Sequence, residues 1–419
     1  MRRSRQAGLG FIFVTVLIDL IGFGIVIPVL PALVGTMTAG KTEQSYWYGL
    51  LLASYGCAQF LSAPLLGALS DRFGRRPMLL LSIFGLSVNF LVTSISPWLW
   101  LLLVARLFGG GLGASYTIAG AYIADITTPE NRSKGFGLIG AAFGLGFIFG
   151  PALGGVLAGH SLRLPYLVAG GLGLLNWLYG FFVLPESLPP ARRSPIPWKK
   201  ANPFSALWAL TRIKNVGVLI LVFVLTVFPQ FLLQSSWALY TTFRFGWDPK
   251  QIGFSLFLVG ITGAISQAIL LRFILRWVGD LRAAVIGMSS GTLAYLCYGL
   301  ATQGWVMYVI IVANALAFVT NPALQGMISK QVDPREQGIT LGSLNSISSL
   351  MGVIGPMVGT PFLAWSSQFE PTDWRVGGVF YLASAVQAVA WLQIFWYSRS
   401  QAGRRLLSGE PEQTYEVVQ

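Results

Sequence analysis

The sequence has little charge and few residues that bind metals. Only 10% of its 419 residues are charged, whereas a soluble domain carries about 25%. It has one histidine, His160, which we interpret as a solvated loop residue, and two cysteines, Cys57 and Cys297, which both fall within apolar runs. Such sparse ligands argue against a metal site and a disulfide framework. No nucleotide-binding Gly-rich loop, catalytic triad or His/Cys cluster is recognisable, which disfavours an enzyme or ATP-driven transport by this chain alone.

Apolar residues are abundant instead. They make up 54% of the chain, and the mean hydropathy is +0.66. About 20 apolar residues span a bilayer as a helix, and the chain holds twelve runs of that kind. We therefore predict an all-α polytopic membrane protein with twelve transmembrane helices, numbered 1–12. The predicted spans are 8–34, 46–70, 77–96, 97–123, 134–158, 165–184, 216–240, 251–275, 281–301, 305–328, 337–364 and 377–396.

Basic residues predict the orientation of these helices. If the N-terminus is cytoplasmic, the cytoplasmic segments hold 22 of the 28 Lys and Arg residues, which satisfies the positive-inside rule. The first apolar run is too long for a signal peptide, so we expect it to remain as helix 1, with both termini in the cytoplasm. The net charge of +13 then reflects topology and contact with anionic lipid, without nucleic acid. The opposite side holds five basic residues, namely Lys41, Arg163, Arg244, Lys250 and Arg375.

The sequence contains an internal repeat. "TPENRSKGFGLIGAAFGLGFIFGPALGG" from Thr128 matches "DPREQGITLGSLNSISSLMGVIGPMVGT" from Asp333 at a constant offset of 205 residues. The offset places helix 5 on helix 11, so helices 1–6 repeat as helices 7–12. We predict two six-helix halves, 1–185 and 216–400, joined by a cytoplasmic linker at 186–215 and followed by a cytoplasmic tail at 401–419. Two parallel halves are typical of transporters that bind substrate between them.

Helix 5 contains "GLGFIFGPALGG", residues 144–155, with five glycines and a proline in an apolar run. Small residues allow close approach of helix backbones in lipid. Gly146, Gly150 and Gly154 recur every four residues and share one face, while Pro151 removes a backbone hydrogen bond and bends the helix. The pattern therefore predicts a face that presses against a neighbouring helix.

Two ionisable residues lie deep in the predicted membrane region. Asp19 in helix 1 is the only deep one among 15 carboxylates, and Arg106 in helix 4 is the only deep base. An isolated charge there costs at least about 2.5–3.5 kcal/mol. We expect the two to approach each other, with Asp19 as the protonation site and Arg106 favouring its charged form. A static structural pair is the alternative.

Four motifs resemble those of the major facilitator superfamily. "GALSDRFGRRP" from Gly67 resembles the loop 2–3 signature, and "RLFGGGLGA" from Arg106 resembles the helix 4 signature. "LIDLIGFGIVIPVLP" from Leu17 is similar to helix 1 of drug:proton antiporters. The helix 5 antiporter motif is matched at Gly137, Gly146, Gly150, Pro151, Gly154 and Gly155. The resemblance covers nearly the whole chain and is closest to the tetracycline exporter branch.

The resemblance implies roles for two of these motifs. The helix 5 face would seal the interface between the halves by packing on helix 8. In loop 2–3, Asp71 would accept hydrogen bonds from the start of helix 11, where the dipole favours an anion, and Arg75 would pair with Asp125. Such a latch would stabilise the outward-facing state. Its residues are Gly67, Asp71, Arg72, Gly74, Arg75, Arg76 and Asp125. The second half has only a degraded copy, which keeps Gly279 but places the acid at Asp280, and we assign it no latch.

Polar and amphipathic residues within the predicted helices are candidates for the substrate cavity, since polar groups in lipid need partners. They are Gln59, Asn89, Gln230, Gln234, Trp237, Tyr240, Gln267, Asn314 and Asn345. The chain departs from tetracycline exporters at three positions. It has Asn89 and Gly291 where they usually carry acids, and Gly263 where some carry histidine. Gln59 and Gln267 match the branch.

These features favour a secondary transporter of the inner membrane. We expect a proton-coupled antiporter that exports amphiphilic small molecules, such as drugs or tetracycline-like compounds, by alternating access. It would act as a monomer in membrane lipid, driven by protons with no cofactor. The substrate is expected to be neutral, zwitterionic or at most monocationic, because one deep acid cannot offset two positive charges. A proton symporter or facilitator for a metabolite is the main alternative, and a membrane enzyme or scaffold is a third.

Overall fold

The computed structural model describes residues 2–128, 131–195, 202, 216–332 and 337–399, and these residues form helices and connections without a strand. The predicted linker and tail fall largely outside them, including Lys199, Lys200 and residues 401–419. The first-half helices are α1 Arg2–Val26, α2 Lys41–Phe73, α3 Arg75–Ile95, α4 Leu99–Ile126, α5 Arg132–Ala158 and α6 Leu164–Val183. The second-half helices are α7 Gly217–Phe245, α8 249–278, α9 280–300, α10 Gly304–Lys330, α11 Gln337–Ser366 and α12 Gly378–Arg399.

Helices α8 and α9 follow each other without an intervening loop in one stretch of 52 residues, Pro249–Leu300, so the described residues contain eleven separate stretches apolar enough to cross a membrane. Gly279 interrupts this stretch with φ +74° and ψ 172°, values outside the helical region. The left-handed φ suits glycine and turns the chain. The stretch therefore crosses twice, and the prediction of an all-α protein with twelve membrane helices is confirmed.

Two helices differ from the predicted spans. Helix α1 ends at Val26, and residues 30–34 of the predicted span belong to a separate short helix, Leu30–Gly35, which starts with a proline in its first turn. Helix α4 is broken into two segments, Leu99–Leu112 and Ser115–Ile126. The break follows the run Gly109–Gly113, where each missing side chain lowers helix propensity.

The internal repeat is visible in the packing. Helix α5 packs along α1, and α11 packs along α7, its counterpart in the second half. Gly150 lies against the backbone of Gly24 on α1, and Gly355, 205 residues later, lies against Phe231 on α7. The repeated Gly-Pro pairs therefore occupy corresponding places in the two halves. The repeat's first prolines, Pro129 and Pro334, lie outside the described residues.

The apolar core is shared at one end of the molecule and divided at the other. We call the end that carries the α2–α3 turn and the start of α1 the basic end. One cluster of buried residues at the opposite end joins both halves, including Leu33 and Tyr48 from the first and Trp237 and Phe380 from the second. At the basic end each half has its own cluster, around Tyr122 and around Leu324 respectively. Among the described residues, the core that joins the two halves thus lies at the opposite end.

Candidate functional site

The deep carboxylate lies at the break in α4. Asp19 is seven residues before the end of α1 at Val26, and its Oδ2 accepts a 2.5 Å hydrogen bond from the Ser115 hydroxyl. Ser115 is the first residue of the second α4 segment, where backbone N–H groups have no partner within the helix. The positive end of a helix dipole favours a nearby anion. The break therefore supplies the polar surroundings that a carboxylate needs within an apolar bundle.

Two side chains from α2 donate hydrogen bonds to the backbone at the break in α4. Gln59 Nε2 donates to the Gly113 carbonyl oxygen at 2.7 Å, and the Ser62 hydroxyl donates to the Gly110 carbonyl at 3.2 Å. These carbonyls lie at the end of the first α4 segment, where the Gly110 carbonyl also accepts from the Gly113 backbone N–H at 3.0 Å. Gln59, which was expected to line the cavity, thus supports the backbone geometry beside Asp19.

Arg106 is buried without a matching charge. Its residue exposure is 4%, and its Nη2 atom has no hydrogen-bond partner among the described residues. The guanidinium carbon lies 5.9 Å from the ring centroid of Tyr55, which is within the range of a cation–π contact. The expected ion pair with Asp19 is not among the ion pairs of the described residues, because Asp19 is bonded to Ser115 instead.

The loop 2–3 residues form a compact ion-pair cluster around Arg75, the first residue of α3. Its guanidinium contacts Asp71 at 2.6 Å, Asp125 at 3.0 Å and the Ser70 hydroxyl at 2.6 Å. Arg75 is only 9% exposed, so these charged hydrogen bonds are largely shielded from water. The predicted pairing of Arg75 with Asp125 is thus present in the structure.

Glu186 is a member of this cluster that the sequence reasoning missed. Its Oε1 accepts hydrogen bonds from the backbone N–H groups of Arg75 at 2.9 Å and Leu188 at 3.0 Å. Gly74 precedes Arg75 with φ +108°, and a Cβ there would lie 2.3 Å from a Glu186 oxygen. The signal available in the sequence is an acid directly after Pro185, at the end of an apolar run that reaches the side of loop 2–3.

Three other residues of the predicted latch have simpler surroundings. The Arg76 guanidinium donates to the Phe181 carbonyl and lies over the Phe181 ring. Arg72 lies over the ring of Phe73. Gly67 packs toward Thr117 on α4, whose methyl group would lie 3.9 Å from an added Cβ. Of the three, Arg76 links the turn to another helix, α6 of the same half.

The contact expected between Asp71 and the start of helix 11 is not seen. Asp71 pairs with Arg75, 40% of its side chain is exposed, and among the described residues no hydrogen bond or ion pair joins it to α11. Helix α11 begins at Gln337, and residues 333–336 before it lie outside the described part. This agrees with the separate cores at the basic end, where each half buries its own described residues.

Helix α5 corrects the prediction about its glycine face. Gly146, Gly150 and Gly154 press against Leu20, Gly24 and Ile25 of α1, in the same half, and not against α8. The contact with α8 is made by a neighbouring face, where the Pro151 carbonyl and Gly155 meet Gly253, and Ile148 meets Gly260. The four-residue period identified one close contact correctly but could not show which helix was the partner. Gly137 is exposed and has open space around its Cα.

The proposed cavity residues separate into three groups. Trp237 and Tyr240 are packed in the shared core, where the indole N–H donates to Ser255 at 2.9 Å and the phenol donates to the Tyr298 carbonyl at 2.6 Å. In this structure they therefore belong to the shared core, and their predicted place in the cavity stays a prediction. Asn314 accepts from the Ser290 hydroxyl at 2.9 Å and so joins α10 to α9. Exposed amides on the second half are Gln230, Gln234, Gln267 and Asn345.

Three positions where the chain differs from tetracycline exporters, Asn89, Gly291 and Gly263, have different surroundings. Asn89 is fully buried against Gly109 of α4, and neither of its amide atoms has a partner among the described residues. It therefore belongs to the α3–α4 packing and not to a cavity wall. Gly291 has room for a side chain, since the nearest atom to an added Cβ is the Ala317 Cβ at 3.7 Å. Gly263 packs closely on the Phe318 ring, 3.0 Å from an added Cβ.

Twelve membrane helices in two related sets, with a half-buried carboxylate and a buried guanidinium among them, define a membrane transport protein. The chain matches the family model described as Major Facilitator Superfamily over residues 12–356. The chain belongs to this superfamily, as its motifs predicted.

Known proteins of the same kind cover almost the whole chain. The tetracycline resistance protein, class C, of Escherichia coli is 40% identical over 388 residues, which are 90% of this chain and 96% of that protein. The class G protein of Vibrio anguillarum is 34% identical and covers 87% of this chain and 93% of its own length. The crystal structure of the human organic anion transporter MFSD10 (TETRAN) has a TM-score of 0.69 at 25% identity, covering 93% of this chain and 99% of that chain. The chain is therefore a transporter and not an enzyme.

Proposed function

We propose that this protein is a proton-coupled antiporter that exports amphiphilic small molecules by alternating access. The observation that carries the proposal is Asp19, a deep carboxylate held by Ser115 at the start of a half-helix. A carboxylate at that depth is a functional site by default, because its charge is costly in the membrane. Proton binding and release at Asp19 would couple the gradient to movement of the two halves. The similarity to tetracycline resistance proteins supports this assignment.

The closed opposite end and the divided basic end support alternating access. If the basic end faces the cytoplasm, as its Lys and Arg residues predict, this arrangement corresponds to an inward-facing state. The Arg75 cluster would then be the released form of the latch, in which Asp71 does not contact α11. Outward opening would bring the two basic-end cores together and separate the α2–α11 and α5–α8 contacts. The chain would act in the inner membrane as a monomer, with both termini cytoplasmic and no cofactor.

The substrate we propose is a zwitterionic amphiphile with an acidic group. Arg106 is buried with an unpartnered Nη2 atom, and a buried charge without a partner is costly. An acidic group on the substrate would supply that partner once the halves move. The exposed amides Gln230, Gln234, Gln267 and Asn345 would bind polar substituents within the pathway. Tetracycline-like compounds satisfy this description, and the similarity to tetracycline resistance proteins supports this class of substrate.

The direction of coupling separates this proposal from its alternative. In everted membrane vesicles an antiporter accumulates substrate when the lumen is made acidic, and a protonophore abolishes the accumulation. A proton symporter or facilitator for a metabolite on the same fold would instead take up substrate into right-side-out vesicles, and a protonophore would stop only the symporter. No observation on the described residues favours this second function over export.

The decisive experiment is substitution of the deep carboxylate. In everted vesicles with tetracycline as the probe, we expect Asp19→Asn to abolish proton-driven accumulation while the amount of folded protein in the membrane stays the same. Glu43→Gln is the matched control, because Glu43 is an exposed carboxylate in the first turn of α2. Undiminished proton-driven accumulation by Asp19→Asn, with the control equally active, would refute the role of Asp19.

A further inference from the structure

The second half contains a counterpart of the loop 2–3 turn in the same structural place. Gly279 lies 205 residues after Gly74, and both have a positive φ, +74° and +108°. Each glycine separates two membrane helices at the basic end, α2 from α3 and α8 from α9. The repeat therefore preserves the backbone geometry of this turn, although most of the surrounding motif has changed.

The charged residues around the two turns have opposite signs. Asp280 lies 205 residues after Arg75, and Lys330 lies 205 residues after Asp125. Lys330 Nζ forms an ion pair with Asp280, just as Arg75 pairs with Asp125. Arg276 likewise stands 205 residues after Asp71. The first half thus has an acid, a base and an acid at Asp71, Arg75 and Asp125. The second half has a base, an acid and a base at the corresponding positions, Arg276, Asp280 and Lys330. In both halves the last two residues form an ion pair.

The two polarities differ in their relation to the helix dipoles. A helix start favours an acid and a helix end favours a base. Asp280 is the first residue of α9 and Lys330 is the last of α10, so both charges in the second half agree with the dipoles. Arg75 is the first residue of α3, and Asp125 is next to the last residue of α4, so both charges in the first half oppose them.

The surroundings of the two pairs differ accordingly. Arg75 has additional partners in Asp71 and the Ser70 hydroxyl, and Asp125 accepts a hydrogen bond from the Ser187 hydroxyl at 3.2 Å. Among the described residues the Asp280 and Lys330 side chains bond only to each other. The first-half pair thus depends on a network that can be rearranged, whereas the second-half pair is supported by its two helices alone.

We propose that Asp280 and Lys330 are positioning residues that form a fixed clamp between α9 and α10. The clamp keeps the basic end of the second half in one shape while the halves move, and the Arg75 cluster in the first half is the part that changes. The pair lies far from Asp19 and acts on the rate of movement, not on substrate binding. This role rests on the proposed transport function.

The test compares neutral, conservative and charge-swapped variants. We expect Asp280→Asn and Lys330→Gln each to lower the maximum rate of tetracycline accumulation about two- to fivefold, with KM and the amount of folded protein unchanged. The double variant Asp280→Glu, Lys330→Arg should restore the rate. The swapped double variant Asp280→Lys, Lys330→Asp should restore it less, because its charges oppose the helix dipoles. Arg272→Gln, which removes an exposed charge from α8, is the control.

A distance measurement tests the clamp independently of transport. Spin labels at positions 282 and 329, in a variant with Cys57→Ser and Cys297→Ser, report the separation of α9 and α10. We expect one narrow distance with and without tetracycline, and a broad distribution after Asp280→Asn. A narrow distance in that variant, or full restoration of the rate by the swapped pair, would overturn the proposal. If the unsubstituted protein transports nothing, the distance still decides whether the clamp exists.

Discussion

At the scale of single residues, the function depends on groups that are unusual for their place in the chain. Asp19 is a carboxylate among apolar helices, and Arg106 is a buried base with an open donor. Both positions were predicted from the sequence, because charge is rare within apolar runs. The ion pair expected between them is not formed among the described residues, and the hydrogen bond from Ser115 to Asp19 could not be predicted, since the break in α4 depends on where a glycine run unwinds. Glu186 was missed for a similar reason, because the groups that donate hydrogen bonds to it are backbone N–H groups, which no side-chain pattern reveals.

The two glycines with positive φ at the basic end form a matched pair for testing the role of Glu186. Alanine at either position places a side chain at a positive φ with an extended ψ, a conformation that is essentially restricted to glycine and costs about 1–3 kcal/mol. Gly279 has open space, whereas a Cβ at Gly74 would meet the Glu186 carboxylate. We therefore expect Gly74→Ala to lower the melting temperature of the detergent-solubilised protein more than Gly279→Ala. Equal losses would show that the Glu186 contact contributes nothing.

At the scale of the helices, the apolar runs determined the architecture and the approximate ends. Residues 134–158 were predicted for helix 5, and α5 occupies Arg132–Ala158. It was harder to predict which helix packs against each face, because a stripe of small residues indicates close approach but does not identify the neighbouring helix. In α5 two stripes lie side by side, one against α1 and one against α8. Only the packed structure distinguishes them.

Three glycines of α5 test this division within one helix. We expect Gly150→Val to reduce the amount of folded protein most, because the backbone of Gly24 leaves no room and overpacking costs about 1–3 kcal/mol. Gly155→Val should leave the first half folded but loosen its contact with α8, which limited proteolysis at the opposite end would detect. Gly144→Val should be neutral, since its surroundings are open. A folding defect in Gly144→Val alone would contradict this assignment of the faces.

At the scale of the whole molecule, the halves share a core only at the opposite end, where Gly49 of α2 lies against Thr360 of α11. Thr42 on α2 and Ser367, directly after α11, lie with their hydroxyl oxygens 3.4 Å apart. In a cysteine-free background, we expect a disulfide between Thr42→Cys and Ser367→Cys to stop tetracycline accumulation, and a reductant to restore it. The control links Leu91→Cys to Gly170→Cys, which lie in contact within the first half. Continued transport by the cross-linked Thr42–Ser367 protein would contradict alternating access.

The shared core also has a consequence for how the protein is made. Helices α1–α6 enter the membrane before α7–α12 are synthesised, and until then Leu33, Tyr48 and their neighbours lack the second-half residues that bury them. The first half therefore exposes an apolar surface at its opposite end until the second half has been inserted and buries that surface. Because that surface joins the halves without the connecting chain, two separately translated fragments would assemble into the same molecule.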